Sequence, residues 1–250
     1  KPKYYAGGDN MLALIAQSPP GTYDVILSDA EFVQQLNAAG YIEELNAADY
    51  PFDDMVHDDF KKFPGHWKDG KLYSVMVRFG LLGVSYNTKA VSDAEAESYK
   101  CFWKPELKGK VGHFDWHLPN LGQISLYNGN GKNLWNLDKG QWDKVKATAK
   151  SLRPQVGGFF DYGGTFNGLK TGEMLAMAGI GDWITGVLER DGAPVKSMIP
   201  KEGGIQFTES YSIGKGSSKA AIVKKFIQYM LSPEGQVKSA NMAAYPANIV

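Results

Sequence analysis

A single cysteine, Cys101, stands in 250 residues, so no disulfide can form within the chain and no cysteine cluster can hold zinc. Positive charge is not in surplus either, since 27 Lys and Arg meet 27 Asp and Glu. A nucleic-acid binder draws most of its affinity from phosphate neutralisation, so that class of partner is excluded. No apolar run approaches the roughly 18 residues of a membrane span. No Gly-x-Gly-x-x-Gly follows a strand, and Gly214-Lys215-Gly216-Ser217-Ser218 has glycines and hydroxyls without phosphate-loop spacing. The Gly-x-Ser-x-Gly elbow of serine hydrolases is missing as well. The chain opens Lys-Pro-Lys-Tyr-Tyr, without the regions of a signal peptide. It reads either as never exported or as numbered from inside a processed protein.

Aromatics, by contrast, are plentiful: 13 Tyr, 12 Phe and 6 Trp. Many lie beside Gly, Asp or Pro, as in Phe159-Phe160-Asp161-Tyr162-Gly163-Gly164 and Gly181-Asp182-Trp183. Aromatics in apolar periodic runs mostly fill cores, whereas those in glycine-punctuated loops are more often at a site. Short apolar runs alternate with amphipathic stretches, which predicts an α/β fold. Strands are expected at 23–28, 72–77, 81–86, 111–114, 174–180 and 205–213. Helices are expected at 31–39, 142–152, 165–171, 182–190 and 220–231, with Gly40 and Gly172 as stops and Asp182 as an N-cap. The length accommodates one large domain or two lobes of about 100 residues or more.

Two constellations carry some chemistry. His113-x-Asp115-x-His117 would share one face of a strand, but the run breaks at Leu118-Pro119 and only His57 and His66 remain as further histidines. No metal and no cofactor are expected. Cys101, between Lys100 and Phe102-Trp103, reads as a buried structural thiol rather than a nucleophile.

Several segments, in order, resemble the spermidine/putrescine-binding proteins, the solute-binding subunits of bacterial ABC importers. Gly21-Thr22-Tyr23-Asp24-Val25-Ile26-Leu27-Ser28 is similar to that family's "gyDvv.ps" strand, and Gly83-Val84-Ser85-Tyr86-Asn87-Thr88 to its "gi.YNt". Phe102-Trp103-Lys104-Pro105-Glu106-Leu107-Lys108-Gly109-Lys110-Val111 resembles "lwdpelkgkv", and Gly172-Glu173-Met174 its "l..Ge" strand start. Pro200-Lys201-Glu202-Gly203-Gly204-Ile205 resembles "PkEGgi", and Tyr245-Pro246-Ala247-Asn248 "gYPtpN". The resemblance implies a type II periplasmic-binding-protein fold of two α/β lobes closing by a hinge on ligand held between them. Lobe one would comprise residues 1–86 and 206–250, and lobe two residues 89–203. It further implies a monomeric periplasmic receptor, without enzymatic activity, that delivers its ligand to an ABC permease in the inner membrane. Family members usually carry further elements at both ends, so the chain reads as clipped at each terminus.

A polyamine needs carboxylates for its ammonium groups and aromatic faces for its methylenes. By resemblance, Glu209 takes the place of the family's amine-binding carboxylate in "fw.D", with Phe207 at the tryptophan. Phe207, Glu209 and Tyr211 would share a strand face, cleft or core, and a carboxylate favours the cleft. Asp182 aligns with the polar residue of "WnGs", followed by Trp183; Tyr245 and Ser28 match the family's tyrosine and strand-end serine. Asp29, Phe79, Asp115 and Trp116 complete the set. Arg78 stands where the family often has tryptophan. It would either pair with Glu209, Asp182 or Asp115, or grip the carboxylate of a zwitterionic, amino-acid-like amine. A hydrolase or lyase using Asp115, Asp182 and Glu209 is the remaining class of reading.

Overall fold

The computed structural model describes residues 1–5, 7–52, 56–242 and 247–248. In chain order the main elements are α1 (Gly8–Ala16), β1 (Val25–Asp29), α2 (Ala30–Ala38), β2 (Val75–Leu82), β3 (Val84–Asn87) and β4 (Val111–Phe114). Then come α3 (His117–Tyr127), α4 (Lys139–Leu152), β5 (Val156–Phe160), α5 (Tyr162–Thr171), β6 (Ala176–Ala178), α6 (Asp182–Arg190) and β7 (Val195–Met198). The chain continues through β8 (Ile205–Ile213), α7 (Ala220–Leu231) and α8 (Pro233–Ala240) to β9 (Ala247–Asn248).

Two compact units result, residues 1–79 with 207–250 and residues 80–206. Residues 80–86, expected in the first lobe, fall in the second unit. The reason is pairing: β3 has neighbours on both sides within the second sheet.

The first unit is built on a sheet of order β1-β8-β2-β9. Antiparallel β1 and β8 run in register from Val25 opposite Ile213 to Asp29 opposite Glu209. Neighbouring strand residues point to opposite faces, and both faces here are covered. Ile26 packs into a cluster with Met11, Phe32, Val33 and Leu36 of α1 and α2. Leu27 joins the other cluster, with Val223, Ile227 and Leu231 of α7. Apolar residues at the three-and-four spacing of α7 supply that stripe.

The second unit has the sheet order β5-β4-β6-β3-β7. The trio β5-β4-β6 is parallel, and β3 runs antiparallel to both β6 and β7. Ala176 and Ala178 face one cluster, with Leu126 of α3 and Leu152 of α4. Met177 faces the other, with Leu169 of α5 and Ile184 and Leu188 of α6. A βα alternation with buried strands gives this layered arrangement.

Local chemistry fixes several boundaries. Asp138 and Gln141 form a capping box that starts α4 three residues before the expected Trp142. Gly172, left-handed at φ 73°, ends α5 where the sequence reading placed the stop. Pro119 lies in the first turn of α3, where proline is tolerated, so a helix stands where the sequence reading expected a loop. Asp182 is the first residue of α6 and Gly181 its cap, correcting the expected capping role.

Candidate functional site

In the first unit the candidate residues gather on β1, β2 and β8. Phe207, Glu209 and Tyr211 are half-buried and alternate with buried Thr208, Ser210 and Ser212, so they share a face. Tyr211 packs edge-on against Phe226 of α7, with ring centroids 5.2 Å apart, which makes that end of the face core. Glu209 instead holds an ion pair with Arg78 of the adjacent strand β2, whose Nε donates to Oε2. The two side chains keep 25% and 19% exposure, enough to meet a solute.

Asp29 lies directly across from Glu209. It precedes α2, yet its side chain makes no capping bond. Burial, then the charges of Glu31 and Glu209, raise its pKa to about 7 against the lowering effect of Arg78. Two carboxylates thus face each other across a strand pair, and one is committed to a guanidinium.

Ser28 departs from this face, whereas Phe79 packs against the same apolar cluster as Leu27 and Tyr211. Ser28 points to the α1/α2 side, is 0% exposed, and its Oγ has no hydrogen-bond partner among the described residues. It sits opposite Ser210, whose hydroxyl meets His66 Nε2 at 2.9 Å. Phe79 follows Arg78 and packs on Phe60, with centroids 5.1 Å apart. Tyr245 lies outside the described residues.

In the second unit Asp115-Trp116 and Asp182-Trp183 lie beyond the carboxyl ends of β4 and β6, where open α/β sheets bind ligands. Asn120 organises the first pair: its amide donates to the carbonyls of Phe114 and Trp116, both at 2.7 Å. The remaining oxygen of Asn120 accepts from His113 Nδ1 at 2.8 Å. That bond turns His113 inward, away from any metal role, while Asp115 and His117 stay exposed. Among the described residues no group of His, Cys, Asp or Glu is placed to hold a metal ion. Gln123 ties the start of the β6–α6 turn, accepting from Gly179 N at 3.0 Å and donating to Gly83 O at 2.8 Å. Burial raises the pKa of Asp182.

A third pair, Asp161-Tyr162, follows the third parallel strand, β5, and was not among the sequence-derived site residues. The Tyr162 ring lies 4.6 Å from that of Phe114 and 5.4 Å from that of Trp183. The readable signal was a dipeptide, Asp followed by an aromatic, repeated after three strands.

A layered α/β fold in two units, with charged and aromatic side chains at strand ends, defines a solute-binding architecture. Residues 4–249 match the sequence profile of the bacterial extracellular solute-binding proteins, and the chain belongs to that family. It is 24% identical over 247 residues to the spermidine/putrescine-binding periplasmic protein of Escherichia coli, covering 97% of this chain and 68% of that one. Spermidine/putrescine-binding periplasmic protein 1 of Haemophilus influenzae is 24% identical as well, with 94% and 64% covered.

Solved structures agree on the fold. The spermidine/putrescine ABC transporter substrate-binding protein of Streptococcus pneumoniae superposes with TM-score 0.78 at 18% identity, covering 92% of this chain and 69% of its own. A periplasmic binding protein of Actinobacillus pleuropneumoniae, with fructose-6-phosphate bound, gives 0.73 at 21% identity, covering 98% and 74%. By family the chain binds solute and is not an enzyme, which removes the hydrolase and lyase reading. No helix among the described residues is long and apolar enough to cross a membrane.

Proposed function

We propose that this chain is the periplasmic receptor of an ABC importer, capturing a small cationic amine of the putrescine or spermidine kind and delivering it to the permease as a monomer. The observation that carries this reading is the Arg78–Glu209 ion pair with Asp29 across from it. The Glu209 carboxylate is engaged by the guanidinium, and Asp29, which burial and its carboxylate neighbours hold protonated to about pH 7, can give up that proton when an ammonium arrives beside it. Asp115 and Asp182 supply carboxylates in the second unit, and Trp116 and Trp183 supply ring faces for the methylenes. The names of the curated relatives point the same way. Ligand-selected closure of the lobes, recognised by the permease, belongs to the same proposal.

Mass spectrometry of ligand co-purified under native conditions tests it directly. A thermal-shift series with putrescine, spermidine, γ-aminobutyrate and basic amino acids gives the class, because a native-state ligand raises the melting temperature. Polyamines are expected to produce the largest shifts. Shifts with zwitterions and none with polyamines would transfer the reading to a carboxylate-bearing amine gripped by Arg78.

A further inference from the structure

The three parallel strands of the second unit end alike. Asp115-Trp116 follows β4, Asp161-Tyr162 follows β5, and Asp182-Trp183 opens α6 after β6. These strands are neighbours in the order β5-β4-β6, so the three dipeptides share one edge of one sheet. Adjacent strands lie about 4.8 Å apart, which places the outer two roughly 10 Å from each other.

Tyr162 closes the gap between them. It stems from the β5 end yet meets Trp183 on α6, with Phe114 of the intervening strand beside it at 4.6 Å. Its ring is therefore held over the end of the middle strand while 55% of the residue stays exposed. Position within the helix fixes it further. Asp161 caps α5 by accepting from Gly164 N at 2.8 Å, and Tyr162 is the first residue of that helix. An aromatic pinned on its flanks but open in front costs little ordering entropy when a ligand arrives.

The geometry points to Tyr162 as a specificity-determining residue: its ring is the platform for the methylene stretch of an extended amine whose ammonium groups reach the flanking aspartates. This rests on the amine-receptor reading and adds the residue that selects for chain length. A monoamine satisfies one aspartate only. A longer polyamine spans the edge and covers the ring with its methylenes and cationic centres.

The test is calorimetry on the wild type, Tyr162→Ala and Tyr162→Phe, with spermidine, putrescine and butylamine as probes. Phe159→Ala serves as the control, being a 66% exposed aromatic on the neighbouring strand position. Tyr162→Ala is expected to weaken spermidine binding by about fivefold, at the upper end of an exposed cation–π contact. Butylamine binding should fall much less, Tyr162→Phe should stay within about twofold, and Phe159→Ala should leave spermidine unchanged, as a flat ring is what the contact needs. Far-ultraviolet dichroism and melting temperatures show that the variants fold. If the wild type binds spermidine and Tyr162→Ala binds it equally well, the proposal fails while the amine reading stands. If Tyr162→Ala weakens all three amines alike, length selection is overturned. A wild type that binds none of the three overturns both.

Discussion

Asp29 stands directly opposite Glu209 in the antiparallel register of β1 and β8, two carboxylates on a non-covalent rung that normally prefers opposite charges. Burial first, then the charges of Glu31 and Glu209, make the Asp29 carboxyl keep its proton to about pH 7 rather than 3.8. The sign follows from linkage. Between those pH values the unfolded chain releases the proton more readily, so the fold loses stability as pH rises. Asp29→Asn is therefore expected to stabilise the protein at pH 8 by about 2–4 kcal/mol and to change little near pH 4. Urea denaturation at both pH values checks this. Equal effects at both would mean the group is not titrating in that window.

His66 works in the opposite sense within the same unit. Its ring is buried against Ser210, and burial lowers its pKa from 6.5 to about 4. The unfolded chain takes up the proton first, so stability falls as pH drops from 6.5 towards 4. The full effect is about 3 kcal/mol. Over this range Asp29 gains what His66 loses, so the two contributions largely cancel in the wild type. Asp29→Asn should then unmask an acid-labile protein, and His66→Gln a protein that weakens above pH 5. Denaturation midpoints collected from pH 4 to 8 for the three proteins decide it. A steep wild-type profile with unaltered variants would contradict both assignments.

Much of this was legible in the residues themselves. The strands at 111–114 and 205–213 and the helix at 220–231 match their expected bounds, because alternation, β-branched content and a continuous apolar stripe leave little choice. The helix over 117–127 was not readable: its buried face contains Gln123 and Ser125, and Pro119 argues locally against it. Its stability comes from partners far away in sequence, such as Gly83 and Gly179 on Gln123. Asp29 and Glu209 were both identifiable as candidates, but their opposition is a matter of register, set by pairing across 180 residues. Ser28 was a plausible contact by resemblance, yet one step of the pleat turns it into the core. Tyr162 was visible only as one aromatic of a glycine-rich loop until the parallel order of β5, β4 and β6 placed it beside Trp183.

Asn120 should matter more than its neutral side chain suggests. One amide holds two carbonyls flanking Asp115 and also accepts from Nδ1 of buried His113. Asn120→Ala removes one donor from each carbonyl and the acceptor of His113 Nδ1, while the Phe114 carbonyl keeps the Trp116 N–H, at about 1–2 kcal/mol of stability. A loosened Asp115-Trp116 turn should also cost ligand affinity, whereas Asn120→Asp keeps an acceptor for His113 but loses both donors. Calorimetry and melting curves on the two variants separate the roles. Retained affinity in folded Asn120→Ala would show that the turn is held by other contacts.

Arg78 decides between ligand classes because its neutralising partner is already in place. With Glu209 engaged, the guanidinium offers little net charge to a ligand carboxylate, and Glu209 offers little to an ammonium. Removing Arg78 frees Glu209 beside Asp29 and concentrates negative charge on one half-buried face. The unliganded protein should then be less stable, since an uncompensated buried charge is costly. A polycation would relieve that cost on binding, so Arg78→Trp should bind spermidine and putrescine at least as tightly as the wild type, with a gain of about 1 kcal/mol. A zwitterion such as γ-aminobutyrate loses its bidentate partner in the same variant and should bind more weakly than before, if it binds at all. Thermal shifts of wild type and variant with each ligand read out both arms. Collapse of polyamine binding in a folded Arg78→Trp protein would show that the guanidinium contacts the ligand, and the amine assignment of this face would have to be abandoned.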